Sequence, residues 1–341
     1  MDISTSYYED LTRLSNSNIG WFLNKGPAFL HKMLTDPPPE EKNPVLERGT
    51  MIHEYILQPK EFQKDYVVWD KPKPSSAQQE KFCKALAFSL EIEPNKALLS
   101  AYKAAYSTTN RSEDKMLSEA LKIASELSDY IEFLKSNDSR KMISIWDHRM
   151  LEKIKKNIYE HKLACKIAWP NGWMSPYSYN KVEEETFGSL PIETYHEFHI
   201  NWEYNGVQCK SLLDSVTFDF KNKVCTIMDL KTTQKLWHFE ESMNTYDYLR
   251  QLCYYTMAVA WYLTNEKKED PTQWDFNWYV IGIDTTGTSE IRVFKFEEAE
   301  IATRTSTIAD ALLDIAWHQK NDKWDHSRAY YEGDGSETLN L

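Results

Sequence analysis

The sequence contains few cysteines, and they are dispersed along the chain. The five cysteines among 341 residues form no CxxC pair. An odd and scattered set of this kind indicates reduced thiols and no disulfide framework. Their positions are Cys83, Cys165, Cys209, Cys225 and Cys253.

A long apolar run is also absent. The longest, over residues 254–263, is shorter than the roughly 20 residues with which a helix crosses a bilayer. Residues 1–6 show neither the basic nor the apolar region of a signal peptide. We therefore expect a soluble, cytoplasmic protein without a membrane partner. Because the sequence has neither a GxGxxG stretch nor a GKS or GKT loop, an ATP motor is not expected.

Positive charge is scarce as well. The 40 Lys and Arg residues are outnumbered by 52 Asp and Glu residues, and the formal net charge is −12. This balance argues against a nucleic-acid partner, because neutralisation of phosphates by basic residues supplies most non-specific affinity. A locally basic channel or a bound metal ion can offset it, and a closed ring would hold DNA by topology. Aromatic residues reach 13%, so the chain is expected to be globular.

The most informative segment, residues 227–233, places an acid and a lysine in an apolar, strand-like run. Asp229 and Lys231 are two residues apart, so their side chains project from the same face of a strand. Asp214 follows a second apolar run at 211–213. Two acids and a lysine suit a site that holds a divalent metal and cuts a phosphodiester, because carboxylates are hard oxygen ligands and a lysine stabilises the attacking water. The alternative is a pair of ordinary exposed charges on a strand edge.

Two further residues are candidates for the same site. His53 and Gly49 lie four residues apart on one helix face, and the glycine lets another backbone come close. His53 is a candidate metal ligand or phosphate contact, or else an ordinary half-buried histidine. Glu197 lies in the alternating segment 195–202, which predicts a strand. If the even-numbered residues face the core, Glu197 points to solvent. If the opposite face meets the cleft, it adds an acid for the metal or its water.

Four residues are candidate DNA contacts. Gln251 and Tyr255 share a face of the helix-like run 246–264, where an amide and a phenol can bind phosphate oxygens or stack against nucleotides. The alternative for the aromatic residues of this run is core packing. Ser15 or Ser17 is predicted to cap the first helix, and the sharper hypothesis is that these hydroxyls bind a strand-end phosphate.

Residues 1–341 are predicted to form a single domain, and the acids and the lysine of the candidate site favour a nuclease domain. Residues 60–170 are predicted to form a helical insertion, which would line one wall of a DNA cleft, and His161 on an apolar helical stripe is expected to pack rather than bind a ligand. Residues 190–300 are predicted to hold an α/β core, with strands near 195–203, 207–217 and 223–231. The tail at 327–341 is expected to be flexible.

These motifs resemble the PD-(D/E)XK nucleases, with Asp229 in the variable acidic position before Lys231. The order GxxxH, Glu, Asp, DxK and QxxxY is that of the RecB-like branch. Residues 209–214 together with 227–233 look like the catalytic centre of the RecE family (exodeoxyribonuclease VIII), and residues 8–18 resemble the start of RecE-type and phage exonuclease domains. The hairpin between the two motifs is somewhat longer than is typical of the family, and its turn is predicted at residues 221–223.

The resemblance implies a restriction-endonuclease-like α/β fold, in which helices flank a central mixed sheet that carries a helical insertion. It implies a Mg²⁺- or Mn²⁺-dependent exonuclease that degrades linear double-stranded DNA from its 5′ ends and leaves 3′ single strands for recombination. Lys231 would orient the water, and Gln251 and Tyr255 would contact DNA. The implied metal ligands are Asp214, Asp229, the backbone carbonyl of Leu230, His53 and Glu197.

The resemblance also implies partners. A ring-shaped homo-oligomer and a single-strand annealing protein, often phage-encoded, are expected. Relatives that carry an iron–sulfur cluster have clustered cysteines after the nuclease motifs, and no cysteine follows Cys253, so no such cluster is expected. Two alternatives remain open at the level of the sequence: an endonuclease of the same fold, and a catalytically silent nucleic-acid-binding or assembly protein.

Overall fold

The computed structural model describes residues 7–39, 43–109, 111–172 and 192–337. The helices are α1 (Asn16–Lys25), α2 (Pro27–Thr35), α3 (Pro44–Leu57), α4 (Pro59–Asp65), α5 (Ala77–Ala87), α6 (Pro94–Ala105), α7 (Glu113–Glu126), α8 (Ser128–Lys135), α9 (Ile145–Glu160), α10 (Lys162–Ala168), α11 (Phe239–Tyr246), α12 (Tyr248–Asn265), α13 (Glu298–Asn321) and α14 (Arg328–Glu332). The strands are β1 (Tyr66–Trp69), β2 (Lys141–Ser144), β3 (Ile192–Tyr204), β4 (Val207–Asp219), β5 (Val224–Thr233), β6 (Asp275–Asp284) and β7 (Ile291–Phe296).

The chain divides into two units. The first comprises Met1–Lys60 with Met150–Leu341, and the second comprises Glu61–Arg149. Both limits of the second unit lie inside the range predicted for the helical insertion.

The first unit is built on a five-stranded sheet in the order β3-β4-β5-β6-β7. Strands β3, β4 and β5 form an antiparallel meander, and the predicted turn at residues 221–223 joins β4 to β5. Strand β6 runs parallel to β5, which requires a crossover, and helices α11 and α12 supply it. Strand β7 returns antiparallel to β6. The prediction of a central mixed sheet flanked by helices is confirmed.

Helices cover both faces of this sheet. Helix α12 contacts β3, β4 and β5, and α13 and α1 pack against α12. The core on this side includes Trp202, Ile227 and Tyr254. Because side chains alternate along a strand, Leu230 of β5 points to the opposite face, where it is buried. Helix α3 contacts β4 and β5, and α10 contacts β5.

The second unit contains helices α5 to α8, with contacts between successive pairs and between α5 and α8. Its core consists of residues from all four helices, among them Phe82, Tyr102, Met116 and Ile131. Strands β1 and β2 form a separate parallel pair.

The prediction for His161 was wrong. The helical stripe is interrupted there, since α9 ends at Glu160 and α10 begins at Lys162. His161 is exposed and caps α10, and its Nδ1 accepts the backbone N–H of Ala164 at 3.1 Å. A side-chain acceptor at this position competes with the helical backbone and starts a new helix.

The other elements predicted from periodicity have their counterparts. The three central strands overlap β3, β4 and β5, and the Gln251 helix is α12. Within the tail, residues 328–332 form a short helix, and residues 338–341 lie outside the described ranges; its flexibility stays a prediction. In the described ranges no helix is both long and apolar enough to cross a membrane.

Candidate metal centre

The ladder between β3 and β4 is interrupted at one position. Pairing runs along both strands but omits Glu197 and Asp214, which lie opposite each other. Glu197 has a φ of 48°, in the left-handed region that residues other than glycine seldom adopt. Leu213 faces the core before the interruption, whereas Val216 and Phe218 face it afterwards. The side-chain alternation therefore shifts by one residue at Asp214, while the register of the two strands is the same on both sides of the interruption.

Strands β4 and β5 separate at the same place. Their pairing ends at Ser215 and Met228. Beyond it, Oδ2 of Asp214 accepts the backbone N–H of Leu230 at 2.6 Å, and the Asp214 side chain is buried. A carboxylate therefore takes the place of a backbone carbonyl as the partner of Leu230, and it fixes this residue beside the opening between the strands.

Helix α3 brings His53 to this opening. Nδ1 of His53 lies 3.5 Å from Oδ2 of Asp214, and the backbone carbonyl of Leu230 is within hydrogen-bonding range of the imidazole. One turn earlier, a Cβ atom built on Gly49 would lie 3.4 Å from Oγ1 of Thr232. Helix α3 therefore runs beside β5 at this turn, but a Cβ atom would fit at ordinary van der Waals distance, so the need for a glycine stays a prediction.

Three candidate ligands converge in this way. Ligand atoms of His53, Glu197 and Asp214 all lie within 4.8 Å of one another, the single such group found among the described residues. The sequence had left open whether Glu197 points to solvent or to the cleft. Residues His196, Ile200 and Trp202 of β3 are buried, and Glu197, whose backbone is left-handed, lies with His53 and Asp214 instead of pointing to open solvent.

Asp229 lies beside this group on β5. Its carboxylate is 1% exposed, and neither oxygen has a hydrogen-bond partner of good geometry. Nζ of Lys231 approaches Oδ2 to 2.5 Å, which is an ion pair. A buried carboxylate is costly unless a cation compensates it. Lys231 provides this compensation at Oδ2, and Oδ1 of Asp229 remains available to a metal ion.

The donor set suits a hard divalent cation. The carboxylates of Glu197 and Asp214 and the His53 imidazole lie within 4.8 Å of one another, and the Asp229 carboxylate and the Leu230 carbonyl are near enough to affect the pKa of His53. Mg²⁺ and Mn²⁺ take oxygen-rich sites of this kind, whereas zinc favours more nitrogen and sulfur. The residues present therefore fit Mg²⁺ or Mn²⁺.

The surroundings disfavour the charged forms of the three carboxyl groups. Burial, followed by repulsion from Asp214, raises the pKa of Glu197 to about 8. Burial also raises the pKa of Asp229 to about 6 and raises the pKa of Asp214. The pKa of His53 falls to about 4 through burial and the nearby Lys231 ammonium. The imidazole is therefore neutral at physiological pH, the form that binds metals.

Lys231 keeps its charge. Burial disfavours the ammonium, but Asp229 and Asp214 outweigh it and raise the pKa of Lys231. Nζ also lies 5.1 Å from the ring centroid of Tyr248 on α12. Lys231 can therefore act as a hydrogen-bond donor and positive charge, and not as a proton acceptor.

The predicted DNA contacts on α12 lie close to the acids. Nε2 of Gln251 donates to the hydroxyl of Tyr255 at 2.6 Å. Tyr255 is buried, and burial followed by Asp229 and Asp214 raises the pKa of its phenol far above the ordinary value. Gln251 is half-buried. Tyr255 is thus placed to orient Gln251, and Gln251 has the free surface for a ligand.

The two N-terminal serines have different positions. Ser15 caps α1, since its Oγ accepts the backbone N–H of Asn18, and the Asn18 side chain completes a capping box. Ser17 is exposed in the first turn of the same helix. The capping role predicted for Ser15 is confirmed, and a phosphate contact by either hydroxyl stays a prediction.

Sequence reasoning missed several residues of the site. Glu54, which follows His53, contributes to the raised pKa of Glu197, and its adjacency to the GxxxH motif was the available signal. Tyr248 covers Lys231, and Asp247 before it is left-handed with a φ of 51°. No local motif marks either residue, because their roles depend on how α12 packs against β5.

Comparisons with known proteins add little. No family model and no curated protein sequence matches the chain. Among solved structures, the chain is similar to a crystal structure from Eubacterium rectale described as a "Putative exonuclease". The alignment covers 99% of this chain and 95% of that chain, with 12% sequence identity and a TM-score of 0.47. Similarity at this level does not establish an activity, so the function has to be inferred from the residues of the site.

Proposed function

We propose that the protein is a metal-dependent exodeoxyribonuclease of the RecE-like, PD-(D/E)XK type. Its substrate would be linear double-stranded DNA, degraded from the 5′ ends to leave 3′ single strands for recombination. One observation carries the proposal: the interruption of the β3–β4 ladder places Glu197, Asp214 and His53 together, beside the Asp229–Lys231 pair. This combination has the ligands and the charge that phosphodiester hydrolysis needs.

Each residue has a distinct role in this proposal. Asp214, Asp229 and the Leu230 carbonyl bind the metal, with His53 and Glu197 completing its shell or holding its water. When bound, a divalent ion polarises the phosphate and lowers the pKa of water. Asp214 also fixes Leu230 through its hydrogen bond to the backbone N–H, so that carbonyl and carboxylate stay in register.

Lys231 would interact with both the phosphate and the attacking water. Its ammonium lies at the mouth of the acidic group, paired with Asp229 and 17% exposed. A charged donor in this position orients the attacking water and stabilises charge that develops on the phosphate oxygens. Gln251, held by Tyr255, would contact a phosphate, and Ser15 and Ser17 at the start of α1 would contact the strand end.

Two partners belong to the proposal. A ring-shaped homo-oligomer would compensate for the net charge of −12, because enclosure holds DNA without a strong electrostatic grip. A single-strand annealing protein would receive the 3′ strands. The mass of the protein in solution, measured by light scattering with and without DNA, tests the ring.

The test of the activity is digestion of end-labelled linear duplex with Mg²⁺, next to a covalently closed plasmid. We expect release of nucleotides from the 5′ ends, no cutting of the plasmid, and no activity in EDTA. Lys231→Met should lower the rate by roughly 10²- to 10³-fold, the scale of losing one charge-stabilising group. Lys295→Met, which removes an exposed lysine on β7, is the matched control and should keep the wild-type rate.

The other outcomes identify the alternatives. Nicking or linearisation of the plasmid would make the protein an endonuclease of the same fold. DNA binding without any metal-dependent cleavage would make it a silent binding or assembly protein. Release of nucleotides from 3′ ends would reverse the proposed polarity while keeping the site.

A further inference from the structure

Four aromatic rings follow one another from the core to the surface. Phe294 on β7 stacks on Phe239, with ring centroids 4.7 Å apart and planes 15° from parallel. Phe239 lies 6.0 Å from Tyr248 at 30°, and Tyr248 stacks on Tyr246 at 5.7 Å and 21°. We call these four residues the aromatic series. Its first ring, Phe294, is half-buried and its second, Phe239, is 2% exposed, whereas its last, Tyr246, is 64% exposed.

The aromatic series passes beside the metal centre. Nζ of Lys231 lies 5.1 Å from the ring centroid of Tyr248, which is the third ring of the series. Tyr246 is therefore one ring farther from the lysine. The two spacings place the ring centroid of Tyr246 at most 10.8 Å from Nζ of Lys231, so a flat group stacked on Tyr246 can belong to a strand whose phosphate is held at Lys231.

The backbone between Tyr246 and Tyr248 is held in place by the side-chain contacts of Asp247. Asp247 lies between Tyr246 and Tyr248 and has a φ of 51°, and this left-handed residue lets side chains two positions apart stack. Residues other than glycine seldom adopt this conformation. The carboxylate of Asp247 binds Arg304 and lies 3.3 Å from the Arg250 guanidinium, and it caps α12. These contacts hold the strained residue in place, so the outer ring is pre-oriented.

One face of the Tyr246 ring stacks on Tyr248, and the other, which we call the outer face, packs against no ring of the aromatic series. A tyrosine that only closes the core would bury both faces of its ring, whereas this ring covers Tyr248 and remains largely exposed. A rigid, exposed aromatic face beside a phosphate site is what nucleobases stack on in single-strand binding proteins. Bases inside a duplex already have both faces covered by their neighbours.

We propose that Tyr246 stacks on an unpaired nucleobase of the DNA strand whose phosphate lies at Lys231. The inference rests on the proposed function and adds a substrate class to it: DNA whose cut strand is single-stranded at that nucleotide, as at an overhang or a frayed end. Because every base has an aromatic face, the contact is insensitive to sequence. It also supplies affinity without positive charge, which suits an acidic protein.

The test is a double-mutant cycle between the ring and the base, measured as binding with Ca²⁺ in place of Mg²⁺. The ligands are labelled duplexes with a short single-stranded overhang, intact or with one abasic nucleotide at each position in turn. Tyr246→Leu should weaken binding of the intact ligand by roughly tenfold, within the range known for base stacking. One abasic position should weaken wild-type binding equally and leave Tyr246→Leu unaffected.

Two variants separate stacking from other effects. Tyr246→Phe keeps the ring and should bind as the wild type does, which a hydroxyl contact would not allow. Leu313→Ala removes an apolar side chain on α13 that is 41% exposed, and it should change nothing. Melting temperatures should be unchanged, because Tyr246 is exposed.

Three results would overturn the inference: wild-type affinity in Tyr246→Leu, equal losses for abasic ligands in wild type and variant at every position, or an equal loss on blunt duplex. The last would point to stacking on a terminal base pair. Failure of the proposed function is a separate result. It appears as absence of Mg²⁺-dependent cleavage by the wild type, whatever the cycle shows, because the cycle is measured without turnover.

Discussion

Removing the charge of Glu197 should stabilise the metal-free protein at alkaline pH. Burial and the nearby Asp214 raise the pKa of Glu197 from its ordinary 4.5 to about 8. Between these pH values the folded state keeps a proton that the unfolded state releases, so this carboxyl makes stability fall as pH rises from about 4.5 to about 8. Glu197→Gln removes this loss. The free energy of unfolding of the variant should therefore exceed that of the wild type above pH 8 and equal it near pH 4.5.

The size of the gain follows from the same values. Each pKa unit corresponds to about 1.4 kcal/mol, so the gain in the free energy of unfolding is at most about 5 kcal/mol. Water reaches this half-buried group, and screening reduces the expected gain to about 2–3 kcal/mol. The assay is urea unfolding in a chelator at pH 5 and pH 9. Glu203→Gln, which changes an exposed glutamate on the same strand, is the control and should show no pH-dependent gain.

A second condition makes the prediction sharper. Saturating Mg²⁺ should stabilise the wild type and reverse the order of the two proteins, since the variant loses a candidate ligand and the metal binds the folded state. Equal stabilities of wild type and Glu197→Gln at pH 9 without metal would show that Glu197 is not held among the other acids, and the proposed centre would lose its most distinctive member.

Three further predictions concern the same centre. Activity should vanish in EDTA and return with Mg²⁺ or Mn²⁺, while Ca²⁺ should bind with little turnover; activity that survives exhaustive chelation contradicts the metal assignment. Asp229→Ala should abolish nucleotide release from labelled duplex and Lys231→Ala should lower it by roughly 10²-fold or more, and Asp229→Ala should raise the melting temperature without metal, because burial and repulsion from Asp214 disfavour the Asp229 charge; near wild-type rates refute the roles. His53→Gln should cut the rate roughly 10²-fold with little change in melting temperature, whereas Gly49→Val should lower both because a Cβ atom there already touches Thr232; normal turnover in His53→Gln would reduce the GxxxH spacing to coincidence.

Local patterns were sufficient to predict the sheet. Alternation over 195–202 and the apolar runs before Asp214 and around Asp229 are one-dimensional signals of strands, and β3, β4 and β5 follow them. The four-residue spacing of Gly49 and His53 likewise predicted a helix face that approaches the sheet. These features depend on neighbouring residues in the chain, so the sequence contains them.

The interruption of the sheet could not be predicted in the same way. Glu197 takes a left-handed conformation in the middle of a strand, which no local propensity favours and which neighbouring groups must impose. Under strict alternation, either the even-numbered residues of β3 are buried or Glu197 lies at the site, but not both. In the structure both are true, because the alternation changes at Glu197. The helix boundary at His161 and the left-handed backbone at Asp247 were not predicted for the same reason. Each depends on a single residue whose side chain overrides the pattern around it.

Anomalous diffraction from crystals soaked in Mn²⁺ tests the central claim most directly. The account predicts one strong peak within about 2.6 Å of oxygens from Asp214 and Asp229 and of the Leu230 carbonyl, with His53 or Glu197 in its shell, and loss of that peak in Asp214→Ala. A wild-type crystal with no manganese at these residues, or with manganese bound only elsewhere, would contradict the account.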